Sequence, residues 1–179
     1  MKQTHSFDWQ RLGNLTKGRG NIGSEMPVSV YRLMQYTLMD ELNDTYGAAQ
    51  AHDVFRRAGS RAGRAFAENL LDRSLPFNEF LAQFQKTLRE MKIGILRMEK
   101  SDLASLEFVL TIEEDLECSG LPVSGQTVCW YDEGFLAGVL GVYTQKDFVA
   151  VEVDCWATGG TVCRFNAYLE QAQQGASAS

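Results

Sequence analysis

The pattern of apolar and polar positions divides the chain into a helical first half and a second half richer in strands. From Pro27 to Gly47 and from Ala48 to about Asp72, apolar residues recur every three to four positions, which predicts two amphipathic helices. Gly59 and Gly63 lie four residues apart on the second helix. Because glycine costs about 1 kcal/mol relative to alanine inside a helix, this pair indicates a close approach by another helix, within the domain or across a dimer.

A third helix is predicted to begin near Ser74 and Pro76, with three phenylalanines on one face: Phe77, Phe80 and Phe84. Three aromatic rings on one stripe either line a cavity or fill a core, and the sequence leaves both readings open. Before the first helix, four apolar residues could pack as a short amphipathic segment: Phe7, Trp9, Leu12 and Leu15.

Strand-like alternation begins at Ile93 and is clearest from Ala104 to Ile112, where Leu106, Phe108 and Leu110 share one face. This alternation predicts a half-buried antiparallel strand. Four acidic residues follow and fit a solvated edge: Glu113, Glu114, Asp115 and Glu117.

The last third of the chain is predicted to contain a fourth helix and a hairpin. The helix spans Thr127 to about Tyr143 and includes Cys129, and the hairpin joins Phe148–Cys155 to Val162–Leu169 through a turn at residues 158–160. The order of elements predicts an α/β fold of the α+β type, with helices packed on an antiparallel sheet.

The length of 179 residues and an apolar content of 45% suit one domain with its own core. We assign residues 27–169 to that domain and residues 1–26 to an N-terminal extension. Residues 170–179, which are mainly Gln, Ala, Ser and Gly, are too poor in apolar side chains to order themselves and are predicted to form a disordered tail.

Charge and hydropathy narrow the classes of function. A net charge of −6 argues against nucleic-acid binding, which needs clustered cations, and the arginines at 56, 57, 61 and 64 fit a solvated or partner-facing stripe. No run of about 18 apolar residues exists, so we expect no membrane span. The first 20 residues lack the apolar segment of a signal peptide, which predicts a cytoplasmic protein.

Four cysteines in a reducing compartment are metal ligands or buried apolar residues more often than disulfides. If the hairpin turn has three residues with a left-handed glycine, Cys155 lies opposite Cys163, near enough for both sulfurs to reach one ion. Glu152 can share that ion only if the strand bulges or ends between it and Cys155. Cys129 would complete a closed set of three sulfurs and one oxygen, the arrangement of a structural zinc site.

Two alternatives remain open at this point. The three cysteines could be separately buried without a metal, because no CxxC pair is present. Cys118 has no comparable partner pattern, and we interpret it as ordinary packing or a loop thiol.

Several segments together resemble the 4-vinyl reductase domain family, also called the hydrocarbon-binding domain. They are A-G-S-R-A-G-R-A-F at 58–66, C-W-Y-D-E-G-F-L-A-G from Cys129, E-V-D-C ending at Cys155, and C-R-F from Cys163. The resemblance extends from about Pro27 to Tyr168. Phenol-sensing transcription activators with this domain bind zinc through Cys, Glu, Cys and Cys, and the same separations of 23, 3 and 8 residues join Cys129, Glu152, Cys155 and Cys163 here.

The resemblance implies helices on an antiparallel sheet that enclose an apolar pocket, usually in a dimer. Subunits of a vesicle-tethering transport particle share this fold and hold a lipid tail in it. The phenol sensors hold the phenol hydroxyl with a His and a Trp, whereas this chain has only His5 and His52 and places Phe108 in its aromatic strand. Recognition of phenol itself is therefore not expected.

The leading hypothesis is a zinc-containing sensory or carrier domain, a homodimer that holds an apolar or aromatic ligand and presents that state to a separate protein partner. The predicted pocket is lined by Phe77, Phe80, Phe84, Leu106, Phe108 and Leu110. One alternative is an accessory factor or carrier in tetrapyrrole or bacteriochlorophyll biosynthesis. The G-R-G-N-I-G stretch at 18–23 follows no predicted strand, so it is not the dinucleotide fingerprint with which a vinyl reductase would bind its hydride donor. The other is a structural dimeric scaffold that uses the arginine stripe.

Overall fold

A computed structural model describes residues 7–170. In chain order its elements are a 3-10 helix (Trp9–Leu12), α1 (Leu15–Gly18), α2 (Val28–Tyr46), α3 (Ala48–Leu70), α4 (Phe77–Glu90), β1 (Ile95–Asp102), β2 (Glu107–Glu113), α5 (Trp130–Thr144), β3 (Phe148–Asp154), a second 3-10 helix (Trp156–Thr158) and β4 (Cys163–Leu169). The predicted helices and strands are all present. Nearly all of the predicted tail lies outside the described residues.

The four strands form one antiparallel sheet in the order β1-β2-β4-β3, which confirms the α+β fold. The first hairpin differs in detail from the prediction, because β1 continues to Asp102 and β2 begins only at Glu107. The Asp102 carboxylate accepts hydrogen bonds from the backbone N–H groups of Ala104 and Ser105 and so fixes the intervening turn. Leu106 lies in this turn, at φ +56°, and not on the strand.

Helix α5 is the centre of the domain, packed between the sheet and α3, and is buried along most of its length. Where α5 crosses α3, the backbones of the two helices are in direct contact. A methyl group at Gly59 would overlap the carbonyl oxygen of Tyr131, and one at Gly134 would overlap that of Arg56. Gly63 and Gly138 make equivalent contacts. The predicted close approach is confirmed, and it occurs within the domain.

Helix α2 forms the outermost layer, and of its 19 residues only Gln35 and Met39 are buried. Six large apolar side chains of this helix remain exposed: Val28, Val30, Leu33, Met34, Leu38 and Tyr46. No helix within residues 7–170 is both long enough and apolar enough to cross a bilayer.

Candidate metal centre

Three cysteines that are distant in sequence meet at the junction between α5 and the β3–β4 hairpin. The Sγ atom of Cys129 lies 3.8 Å from that of Cys155 and 3.7 Å from that of Cys163, and all three side chains are buried. Two sulfurs on one tetrahedral zinc, each at about 2.3 Å from the ion, are about 3.8 Å apart. The separations therefore fit a shared ion.

The β3–β4 hairpin carries two of these thiols, and β3 contains the bulge that the sequence predicted. The register between β3 and β4 shifts between Glu152 and Asp154, which confirms the bulge. Asp154 then pairs with Arg164, so Cys155 and Cys163 occupy the next position outward. The connection is longer than the predicted three residues, because a 3-10 turn precedes the left-handed Gly159.

Cys129 precedes α5 as its N-cap residue, whereas the sequence placed it inside the helix. The N–H groups of Val128 and Cys129 both donate to Oε2 of Glu152, at 3.1 and 3.0 Å. The chain is thereby held outside helical geometry until Trp130.

Cys118 belongs to the same cluster, so its interpretation as ordinary packing or a loop thiol is wrong. Its Sγ atom lies 3.0 Å from that of Cys163, and the sulfurs of all four cysteines lie within 4.8 Å of one another. The four cysteines are therefore close enough to hold a metal ion. Sequence spacing gave no signal for Cys118, because the turn that carries it is shaped by contacts from a distant helix.

That turn is held by an internal carboxylate and by α2. Oδ1 of Asp115 accepts hydrogen bonds from the N–H groups of Glu117 and Cys118, at 2.6 and 3.1 Å. The guanidinium of Arg32 donates to the carbonyl oxygens of Asp115, Leu116 and Ser119. Asp115 and Glu117 are each 2% exposed, so the prediction of a solvated acidic edge is wrong for these two.

Glu152 lies beside the thiols with only one of its oxygens satisfied. While Oε2 accepts the two backbone N–H groups before α5, Oε1 is buried and has no hydrogen-bond partner within residues 7–170. Burial is the main cause that raises the pKa of this carboxyl to about 8. Its free oxygen is a donor that a cation could use.

Further buried carboxyls surround the cluster. Burial raises the pKa of Asp115, Glu117 and Asp132, and Asp132 is hydrogen-bonded to Asp115. Glu133 forms an ion pair with Arg56 and accepts the N–H of Glu152. Because so many acidic groups and thiols are buried together, the region favours either protonated side chains or a bound cation.

Three of the clustered thiols have pKa values shifted by their neighbours. Hydrogen bonds from the neighbouring thiols, that of Cys118 first, lower the pKa of Cys155. Interactions with the same neighbours raise the pKa of Cys129 and of Cys163, again with Cys118 as the largest cause.

The residues predicted to line an apolar pocket lie in or against the core. The ring centroids of Phe77 and Phe108 are 5.3 Å apart, and that of Phe80 lies 4.2 Å from the ring of Tyr143. Phe84 and Leu110 are buried, while Leu106 is partly buried in its turn. A ligand among them would have to separate stacked rings.

A second apolar site, which the sequence did not predict, lies between the N-terminal 3-10 helix and the paired helices α3 and α5. It is a cleft of about 560 Å³. Its lining residues are Phe7, Trp9, Arg11, Leu12, Ala58, Arg61, Ala62, Phe66, Tyr131 and Phe135. The amphipathic pattern from Phe7 to Leu15 was the available signal, but only the fold shows what that segment covers.

Comparison with known proteins supports the predicted resemblance. The family model of the 4-vinyl reductase domain matches residues 108–169, the stretch that contains all four cysteines. The uncharacterized protein MJ0150 of Methanocaldococcus jannaschii is 26% identical over 149 residues, which cover 83% of this chain and 79% of that protein.

Two solved structures show the same fold at low sequence identity. The phenol-responsive sensory domain of the transcription activator PoxR, with phenol, has a TM-score of 0.64 at 18% identity, over 80% of this chain and 75% of that one. A trafficking protein particle complex subunit 3 from Naegleria fowleri, covalently bound to palmitic acid, has a TM-score of 0.62 at 12% identity, over 83% and 98%. The resemblance to the 4-vinyl reductase domain is thus confirmed, and the match to the family model covers residues 108–169.

Proposed function

We propose that this chain is a cytoplasmic, zinc-containing domain that binds a small apolar or aromatic molecule, as a sensor or carrier for a separate protein partner. The convergence of four buried thiols in a 4-vinyl reductase domain is the observation that carries the proposal. The PoxR sensory domain, described with phenol, adds support for the small molecule.

Five donors surround the four positions of a tetrahedral zinc ion. Cys129, Cys155 and Cys163 belong both to the set implied by the resemblance and to the sulfur cluster. For the fourth position the resemblance implies Glu152, whereas the cluster offers Cys118. We favour Cys118, because its sulfur is within 4.8 Å of the other three, whereas Glu152 holds the N–H groups of Val128 and Cys129 with Oε2 and has only Oε1 to offer an ion.

Such a site is structural. Four protein ligands leave no open coordination position, so the ion would cross-link the 115–119 turn, the start of α5 and the hairpin. Because ordering these segments and binding the ion are one equilibrium, the binding free energy adds to the stability of the fold.

Single substitutions in this site separate the two candidates for the fourth ligand. Cys155→Ser and Cys118→Ser should each lower zinc content and reduce the melting temperature, because both remove a sulfur ligand. Glu152→Gln should retain about one zinc per chain, with affinity lowered by about tenfold to a hundredfold, as is usual for loss of a residue that orients a ligand. Elemental analysis of the purified variants and thermal denaturation with and without a chelator measure these effects.

The reverse result, zinc lost in Glu152→Gln and kept in Cys118→Ser, would assign the fourth position to Glu152. Unchanged zinc content in Cys155→Ser would contradict the proposed zinc site as a whole.

The ligand-binding part of the proposal is tested by calorimetric titration of the zinc-loaded protein. We expect measurable binding of at least one of two probes, phenol or 1-decanol, with a negative heat-capacity change because apolar surface is buried. A zinc-loaded, folded protein that binds neither these nor an aliphatic carboxylate would contradict a small-molecule function.

The exposed face of α2 supports the homodimer. Its apolar side chains include Leu33 and Leu38, which are 68% and 50% exposed. A row of this kind on one helix is more typical of a subunit contact than of a free surface, and we propose a second copy of the chain as its occupant.

A charge placed on that face should prevent dimer formation. We expect Leu33→Glu and Leu38→Glu to convert the dimer to a monomer, because a buried carboxylate without a partner is strongly unfavourable. Leu103→Glu is the matched control, since Leu103 is 54% exposed but lies in the β1–β2 turn. Sedimentation analysis that finds the unmodified protein monomeric, or all three variants dimeric, would refute the interface.

A further inference from the structure

The cleft between the N-terminal 3-10 helix and the α3–α5 pair differs from the aromatic core in being open space. Its volume of about 560 Å³ lies within the range of small-molecule sites, about 300–1,000 Å³. Phe66 and Phe135 lie in its lining, with ring centroids 5.2 Å apart. One side of the cleft is therefore built on two central helices and is rigid.

The opposite wall leaves apolar surface unpaired. Phe7 and Leu12 are 41% and 48% exposed, and no residue of the 3-10 helix is buried. A segment that packed fully onto α3 would bury these side chains, as the hydrophobic effect favours. Here Phe7 and Leu12 are separated from Phe66 and Tyr131 by the cleft, which leaves room for an apolar ligand between the two walls.

Two guanidinium groups give the cleft a polar and charged side. Arg11 comes from the N-terminal wall and Arg61 from α3. Within residues 7–170 neither forms an ion pair, whereas the other arginines of α3 do: Arg56 with Glu133, Arg57 with Asp53 and Arg64 with Asp147. Arg11 and Arg61 are thus available for an anion that enters the cleft.

We propose that this cleft, and not the aromatic core, is the ligand site, and that its ligand is an amphipathic carboxylate. The hydrocarbon part lies between Trp9, Phe66 and Phe135, and the carboxylate is bound by Arg11 and Arg61. A guanidinium matches the planar geometry of a carboxylate and can donate two parallel hydrogen bonds to it. The inference rests on the proposed small-molecule function and adds the position and chemical class of the ligand.

The two probes that test this have the same ten-carbon chain and differ in the head group: decanoate carries a carboxylate and 1-decanol an uncharged hydroxyl. We expect the zinc-loaded protein to bind both, and the double variant Arg11→Glu/Arg61→Glu to weaken decanoate binding by about tenfold with little change for 1-decanol. Arg57→Glu is the matched control, since Arg57 lies on the same helix outside the cleft and should leave both affinities unchanged.

The position of the ligand is tested by substitutions on the two walls that block the cleft or make it polar. Ala62→Trp fills it from α3, and Leu12→Glu makes the opposite wall polar at a half-exposed side chain where folding is not at risk. Each substitution should lower the affinity for both decanoate and 1-decanol by about tenfold or more without changing the zinc content. The change in Trp9 fluorescence on binding, measured against Trp9→Phe, should saturate with the same Kd as calorimetry.

Three results would contradict the ligand position, the ligand class or the proposed function, respectively. If Phe84→Leu weakens binding and the cleft variants do not, the ligand lies in the aromatic core and this inference fails while the proposed function stands. If Arg57→Glu matches the double variant, the charge effect is not local and the carboxylate class is wrong. If the unmodified protein binds no probe, phenol included, the proposed function fails with it.

Discussion

The convergence of four buried thiols at the start of α5 is the constraint on which the rest of the structure depends. The sulfurs come from three segments far apart in sequence, and the buried carboxyls of Asp115, Asp132 and Glu152 lie around them. In an apolar interior this many acidic groups are unfavourable as anions unless a cation balances them. A divalent ion bound as proposed would balance this charge and cross-link the three segments.

The same junction links the outer layers of the domain. Arg32 and Tyr36 of α2 donate hydrogen bonds to the turn that carries Cys118, so the helix with the exposed apolar face is attached to the four-cysteine cluster through polar contacts. Helix α5 begins at the cluster, crosses α3 through a glycine contact, and contributes Tyr131 and Phe135 to the cleft. The four-cysteine cluster and the cleft therefore share helix α5, and this helix would connect the proposed metal centre to the proposed ligand site.

Sequence reasoning succeeded where a local pattern controls the structure. Helical periodicity located α2, α3 and α4, the glycine pair indicated the helix crossing, and the spacing of Glu152 and Cys155 required the observed bulge. The predictions from sequence failed where contacts between residues distant in the chain determine which side chains are buried. Asp115 and Glu117 have the sequence appearance of a solvated edge, but Arg32, 83 residues earlier than Asp115, draws their turn inward. Cys118 is placed by the same contact, and the cleft exists only because the N-terminal segment folds back over α3.

The central claim is that one zinc ion is bound by four sulfurs, and X-ray absorption at the zinc edge of the purified protein tests it most directly. We expect one zinc per chain with a single shell of four sulfur atoms at about 2.3 Å. A mixed shell of three sulfurs and one oxygen would assign the fourth position to Glu152. A protein that folds and binds its ligand without any zinc would contradict the account as a whole.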